Sequence, residues 1–95
     1  MERERTLVLV RIEELRKELK SAERDELRGV ASLATATQSY NVCVEQGFHR
    51  DVGHILNEAR KVGERHTEYY SVLTRLKEFL HLYQLITGEA APETE

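Results

Sequence analysis

The stretch that decides the fold is residues 52–83, VGHILNEARKVGERHTEYYSVLTRLKEFLHLY. Apolar or near-apolar residues recur in it at alternating spacings of three and four. Ten positions follow this pattern without interruption: Val52, Ile55, Ala59, Val62, His66, Tyr69, Leu73, Leu76, Leu80 and Tyr83. Such a heptad row predicts one long helix that packs a continuous stripe against another helix.

Glycines and a capping residue set the limits of this helix. Gly47 suits the left-handed position just past the end of a preceding helix, and Asp51 is a good N-cap for the next one. The intervening stretch is short enough to fold the two helices antiparallel. Gly63 costs about 1 kcal/mol relative to alanine in a helix interior, but the heptad phase passes through it unchanged. We therefore expect a continuous helix over 51–87, ended by Gly88.

The first half of the chain carries two heptad rows that are out of phase with each other. The first row is Val8, Ile12, Leu15, Leu19 and Ala22, and the second is Leu27, Val30, Ala34, Thr37, Asn41 and Val44. Basic residues precede Ser21 and acidic residues follow it, an order that the helix dipole favours where one helix ends and another begins. We expect a break or kink at Ser21, with helices over about 6–20 and 22–46. A single helix with a phase shift is the alternative.

These patterns predict an all-α fold, an antiparallel bundle of long helices. A helical hairpin packs with a first helix in one domain over residues 1–87, and Glu89 to Glu95 form a flexible acidic tail after Gly88. A hairpin in a chain of 95 residues has a high ratio of surface to volume. Burial of a second face against another copy would stabilise it, so we expect a homodimer.

The composition and the first residues of the sequence indicate where in the cell the protein is located and which partners it does not bind. The net charge of −3 argues against direct binding to nucleic acid. Cys43 is the single cysteine, so the chain has no intrachain disulfide. The first apolar run, Leu7 to Val10, is too short for a signal peptide or a membrane span. We expect a cytoplasmic protein that does not enter a membrane.

Histidines and the cysteine are the candidate reactive groups. Asp51 with His54, and Glu78 with His81, match the acid-x-x-His spacing of di-iron helix bundles. His54, Glu78 and His81 lie off the heptad row, toward solvent, so we expect no metal site.

His66 differs because it occupies the row itself. It could fix the register, bind a partner, or be a partly buried histidine with a hydrogen-bonded neighbour. Cys43 is expected to be a buried structural thiol. The sequence has no phosphate-binding glycine loop, nucleotide fingerprint or nucleophile motif, so we predict no catalytic residue and no cofactor.

The C-terminal half of the last helix is apolar over about half its circumference, against roughly 100° for a helix with one neighbour. The predicted protein-interaction surface comprises Tyr69, Val72, Leu76, Phe79, Leu82, Tyr83 and Ile86. The first helix, a second protomer or a target protein must cover it. A row of small residues, Gly29, Ser32, Ala36, Ser39 and Cys43, indicates either tight packing inside the hairpin or a self-complementary dimer contact.

The chain resembles TraM-type quorum-sensing antiactivators over roughly residues 20–92. The resemblance rests on an acid-leucine helix start at Asp25 to Leu27, on His66 and Tyr69, and on a final apolar run that closes at Gly88. The chain lacks the proline-marked break at the start of the family's second helix. Members are small all-helical homodimers that bind and silence LuxR-type transcription activators, so the resemblance implies the same for this chain.

The function expected from the sequence is that of a small non-enzymatic regulator or adaptor that binds another protein through helical surfaces. Inhibition of a transcription regulator is its most concrete form. A structural subunit of a larger helical assembly is the alternative, followed by a small all-helical enzyme.

Overall fold

The computed structural model describes residues 2–47 and 52–93, which form a hairpin of two long helices, α1 (Glu2–Glu45) and α2 (Gly53–Thr87). No strand occurs in these residues. The helices run antiparallel: Arg65 of α2 reaches the Asp25 backbone of α1, and Arg16 near the start of α1 reaches Pro92 beyond the end of α2. The all-α hairpin predicted from the heptad rows is confirmed.

The helix ends follow from their glycines. Gly47 and Gly88 have φ angles of 82° and 75°, in the left-handed region that glycine adopts without strain. The backbone N–H of Gly88 donates a 2.8 Å hydrogen bond to the Gln84 carbonyl, which closes α2 as predicted. Gly63 lies within an uninterrupted helix. The predicted N-cap, Asp51, lies outside the described residues, and Val52 occupies the position before α2 without a side-chain cap.

The predicted break at Ser21 is wrong, because α1 is continuous over 44 residues. The α1 residues that are buried or half-buried toward α2 form one unbroken heptad row: Val8, Ile12, Leu15, Leu19, Ala22, Glu26, Gly29, Leu33, Ala36, Tyr40 and Cys43. Beyond Ala22 this row contains small and polar residues. A search for apolar residues therefore selects the neighbouring row that starts at Leu27, which is one residue out of phase and exposed.

The facing row of α2 is also rotated from the predicted one. Its ten members are buried or half-buried: Ile55, Glu58, Val62, Arg65, Tyr69, Val72, Leu76, Phe79, Tyr83 and Ile86. Five residues belong to both the observed and the predicted row: Ile55, Val62, Tyr69, Leu76 and Tyr83. Between them, the observed row has the residue one position before the predicted one, for example Glu58 in place of Ala59. Val52, Ala59 and His66 are consequently exposed rather than part of the contact. The error arose because Glu58 and Arg65, both charged, face α1.

Apolar burial is concentrated where the chain's two ends meet. We call this cluster the end core; it consists of Val8, Ile12, Leu15, Val72, Leu76 and Tyr83. Ile12, Leu15 and Tyr83 are at most 1% exposed. Toward the loop, the buried residues of α1 are Ala22, Gly29 and Ala36, which contribute little apolar area. The hairpin therefore has a substantial core at one end only.

The segment after α2 runs back along α1. Ala91 packs against the end core, and the Arg16 guanidinium donates a 2.6 Å hydrogen bond to the Pro92 carbonyl. The Thr87 hydroxyl accepts a hydrogen bond from the Glu89 N–H. The flexibility of the acidic tail stays a prediction, but its first residues have defined contacts.

The hairpin is far more extended than a compact domain of its size. Its dimensions are 69 × 22 × 15 Å and its radius of gyration is 20.1 Å, against roughly 12 Å for a compact chain of this length. Its accessible surface is 7185 Å², whereas a globular monomer of this mass exposes about 5,600 Å². About 1,600 Å² of surface is thus in excess of what a compact monomer leaves in water.

The position of the end core predicts that two leucines of α1 differ sharply in their contribution to the free energy of unfolding. Leu15→Ala removes a fully buried side chain and should lower the free energy of unfolding by about 2–5 kcal/mol. Leu7→Ala removes a side chain that is 62% exposed and should change it by no more than about 0.5 kcal/mol. Urea unfolding followed by circular dichroism, at one fixed protein concentration, measures both. Equal losses would contradict the placement of the core.

The close approach of the helices at Gly29 predicts a coupling with Arg65. A methyl group at Gly29 would lie 2.7 Å from the Arg65 Nη1 atom and 3.3 Å from both Arg65 Cδ and Val62 Cγ2. In an Arg65→Ala background, Gly29→Ala should raise the free energy of unfolding by most of the roughly 1 kcal/mol by which alanine stabilises a helix relative to glycine. In the wild-type chain the gain should be smaller by at least about 0.5 kcal/mol. A four-variant unfolding cycle measures the difference, and equal gains would mean that the contact is absent.

Candidate interaction surfaces

The structure buries or half-buries most of the residues of the predicted interaction surface. Of its seven residues, Val72, Leu76 and Tyr83 are 3%, 6% and 1% exposed and belong to the end core. Phe79 and Ile86 pack against that core, and Tyr69 is half-buried. Leu82 alone is exposed.

The covering element is the N-terminal part of α1. Because α1 begins at Glu2, its first turns reach the apolar arc of α2, and Ala91 covers a further part. Among the alternatives for what covers this arc, the first helix is the correct one. Val72, Leu76 and Tyr83 are therefore core residues, and the prediction that they contact a partner protein is corrected.

A different exposed surface lies near the loop, on one side of the hairpin. On α1 it is the row predicted as the second heptad row: Leu27, Val30, Ala34, Thr37, Asn41 and Val44. On α2 it consists of Val52, Leu56, Ala59, Gly63, His66 and Tyr70. All twelve residues are exposed, and we call this surface the loop-end flank.

The two rows lie on the same side because each follows its facing row by one residue. In an antiparallel pair, that same rotation brings both rows to one side of the contact. A direct contact supports this: His66, on the flank, lies with Nδ1 2.5 Å from Oε1 of Glu26, which is in the facing row of α1.

The opposite side of the hairpin, which we call the polar flank, is lined by residues that precede the facing rows by one. Ser32 and Ser39 of α1 share an open groove there with His54 of α2. Further from the loop, Glu18 and Asp25 line a second groove with Glu68.

The two flanks differ in charge. The loop-end flank has no carboxylate, ammonium or guanidinium group over the twelve residues, although a third of the chain is charged. Its large apolar side chains are well exposed, from 44% for Val52 to 64% for Leu56. Six such residues, Leu27, Val30, Val44, Val52, Leu56 and Tyr70, together expose roughly 600 Å², at the upper end of what monomers present in one patch.

Polar contacts tie the two helices together around the level of His66. Beside the contact between His66 and Glu26, the Arg65 guanidinium donates a 3.3 Å hydrogen bond to the Asp25 carbonyl. The Tyr70 ring lies edge-on to the His66 ring, with centroids 4.7 Å apart. His66 therefore has a hydrogen-bonded neighbour, as one alternative predicted, but it is exposed rather than buried.

Groups with reactive side chains are dispersed. Within residues 2–47 and 52–93, no three His, Cys, Asp or Glu side chains are placed to hold a metal ion together. Glu78 and His81 are exposed on α2, whereas Asp51 lies outside the described residues. Cys43 is half-buried in the facing row of α1. In the part of the chain that the structure describes, neither helix has a stretch apolar and long enough to cross a bilayer.

The row of small residues divides between two environments. Gly29 and Ala36 are buried against α2, which is the arrangement expected from tight packing inside one hairpin. Ser32 and Ser39 line the groove on the polar flank. Buried positions of this row therefore serve the contact between α1 and α2.

Comparison with known proteins adds no relative: no family model, curated protein or solved structure matches this chain.

The contact between Glu26 and His66 predicts a small but measurable coupling. The side chains are 23% and 54% exposed, so solvent weakens their attraction. A double-mutant cycle with Glu26→Ala and His66→Ala should give a coupling free energy of about 0.2–1 kcal/mol. Chemical unfolding of the four proteins measures it. A coupling above about 2 kcal/mol would instead indicate a pair shielded from water.

Proposed function

We propose that this chain is a small non-enzymatic regulator or adaptor that acts by binding other proteins through its helical surfaces. One observation carries the proposal, the loop-end flank, in which two helices present uncharged rows side by side. An exposed apolar patch of this kind, bordered by polar residues, is typical of a protein-binding surface. A helical partner binds such a surface by aligning its own apolar row with the apolar residues of that surface.

The shape of the molecule supports binding over catalysis. Enzyme sites are concave, with polar groups converging on a substrate. The distinctive surface here is an elongated pair of helical rows, and the grooves of the hairpin are open along its sides. Among the described residues, no three His, Cys, Asp or Glu side chains converge on one point.

Inhibition of a transcription regulator in the cytoplasm is the most concrete form of the proposal. It is supported by the resemblance to TraM-type antiactivators and by the position of the residues that carry it. His66 belongs to the loop-end flank, and Tyr69 is half-buried beside it. In this form, the flank would occupy a helical surface that the regulator needs in its active state.

A structural subunit of a larger helical assembly is the second candidate. The observation that favours it is a further group of exposed apolar residues at the opposite end of the hairpin: Leu7, Val10, Leu82 and Leu85. Two separate apolar regions would allow one chain to contact two neighbours at once. Such a protein would form assemblies that grow with concentration rather than one closed complex.

Capture of partner proteins tests the proposal. The tagged wild-type chain, Leu56→Glu and Leu85→Glu are used as baits, because Leu56 and Leu85 are similarly exposed, at 64% and 69%, and only Leu56 belongs to the flank. A partner identified by mass spectrometry is then purified, and its dissociation constant is measured with each bait. Leu56→Glu should weaken binding at least about 10-fold, because it places a charge in an apolar contact. Leu85→Glu should leave binding unchanged.

Two outcomes would contradict the proposal. If Leu85→Glu weakens binding as much as Leu56→Glu, the flank is not the binding surface. If a purified partner is a transcription regulator whose DNA binding is unaffected by the chain, the inhibitory form is wrong. A thermal-shift screen that finds stabilisation by a metabolite, by mass action on the native state, would favour an enzyme instead.

A further inference from the structure

We infer that the loop-end flank binds a second copy of this chain, flank against flank, so that the loop halves of two hairpins form a four-helix bundle with twofold symmetry. The inference rests on the proposed function, because it names one partner for the same surface. It differs from the dimer expected from the sequence, whose contact was either the apolar C-terminal half of α2 or the row of small residues on α1.

The flank is self-complementary. In a twofold contact every residue of the surface meets the same surface on the other copy, so a charged patch would face its own charge. The twelve flank residues carry none of the carboxylate, ammonium or guanidinium groups that would repel. His66, which can become charged, already has the Glu26 carboxylate as its neighbour.

The geometry also suits a second hairpin. The two rows run side by side over 27–44 and 52–70, each about 27 Å long at 1.5 Å per residue. A helix packs well along a row of residues with heptad spacing. Two such rows side by side can therefore each contact one helix of a partner. A copy of the chain provides two helices with rows of the same length.

The amount of surface agrees with a dimer. The large apolar residues of the flank expose roughly 600 Å², and the smaller residues between them raise this toward the roughly 800 Å² per partner of a standard interface. Burial of that area on each chain would remove about half of the accessible surface that the hairpin has in excess of a compact monomer. Across the loop half, where α1 places Gly29 and Ala36 against α2, it would supply the apolar core that the single hairpin lacks.

The extent of the contact is limited by charge. Nearer the chain ends, the same side of α1 carries Arg16, Lys20 and Glu23, and the acidic Glu93 lies with them in one groove. The contact therefore covers the loop half, and the halves that hold the end core remain free of it.

Charge-swapped copies test the inference. Light scattering over a hundredfold concentration range measures the mass of the wild-type chain, of Val30→Glu/Leu56→Glu and of Val30→Lys/Leu56→Lys. The wild type should be dimeric, and each double variant alone should have half that mass while circular dichroism shows an unchanged helix content. An equimolar mixture of the two variants should regain the dimer mass, because opposite charges then face each other. Leu82→Glu/Leu85→Glu, which alters exposed residues outside the flank, should remain dimeric.

Several results would overturn the inference: a monomeric wild type, a double variant that stays dimeric, or a mixture that does not associate. If the variants fail to fold, a photo-crosslinking amino acid at position 56 in the otherwise unchanged chain replaces them. It should join two chains, and the same group at position 85 should not; absence of the first product would contradict the inference. A monomeric wild type that still loses its partner with Leu56→Glu would refute the dimer alone. A dimer whose Leu56→Glu variant binds partners normally would refute the proposed function alone.

Discussion

Two helices in contact can cover only one stripe of each other, and the rest of this structure depends on that limit. Each helix of the hairpin has an inner row that its neighbour covers and two flanks that it does not. Near the chain ends, the inner rows are apolar and form the end core. Near the loop, the inner rows hold Gly29, Ala36 and Arg65, and larger apolar residues lie one position further around each helix. Large, fully buried apolar side chains are thus confined to the half with the chain ends, whereas the loop half presents uncharged rows to water.

This placement explains which parts of the fold could be predicted from the sequence. Heptad spacing and the two glycines at Gly47 and Gly88 are local signals, and they were sufficient for the helical hairpin and the end of each helix. The phase of a helix, which decides which of its residues face the neighbouring helix, is not set by such local signals. Sequence patterns show that apolar residues repeat, but they do not show which of two adjacent rows a neighbour covers. Glu26 and Arg65 face the opposite helix, and no rule based on hydrophobicity selects them.

Three residues of the predicted interaction surface, Val72, Leu76 and Tyr83, are buried because they lie in the row that faces α1. The apolar arc around Val72 and Leu76 is wide, and its width correctly indicated that more than one element had to cover it. The covering element was the beginning of α1, which the expected break at Ser21 had made a separate short helix. The row that starts at Leu27 was predicted as the heptad row of a second helix, and all six of its residues are exposed in the structure. The sequence does set this row apart, because it carries no charge in a chain that is one-third charged.

The position of the end core also has a consequence for how the chain folds. Val8 and Tyr83 belong to the same cluster but are separated by most of the sequence, so the contacts that stabilise the hairpin are among the least local that its topology allows. Chains with such contacts fold more slowly than helical proteins whose first contacts are local, because a long loop must close before apolar burial compensates for it. On the ribosome, α1 would emerge complete before the α2 residues of the end core have left the exit tunnel. The nascent helix would then expose both of its apolar rows to water, one of them until the last turns of α2 have left the exit tunnel.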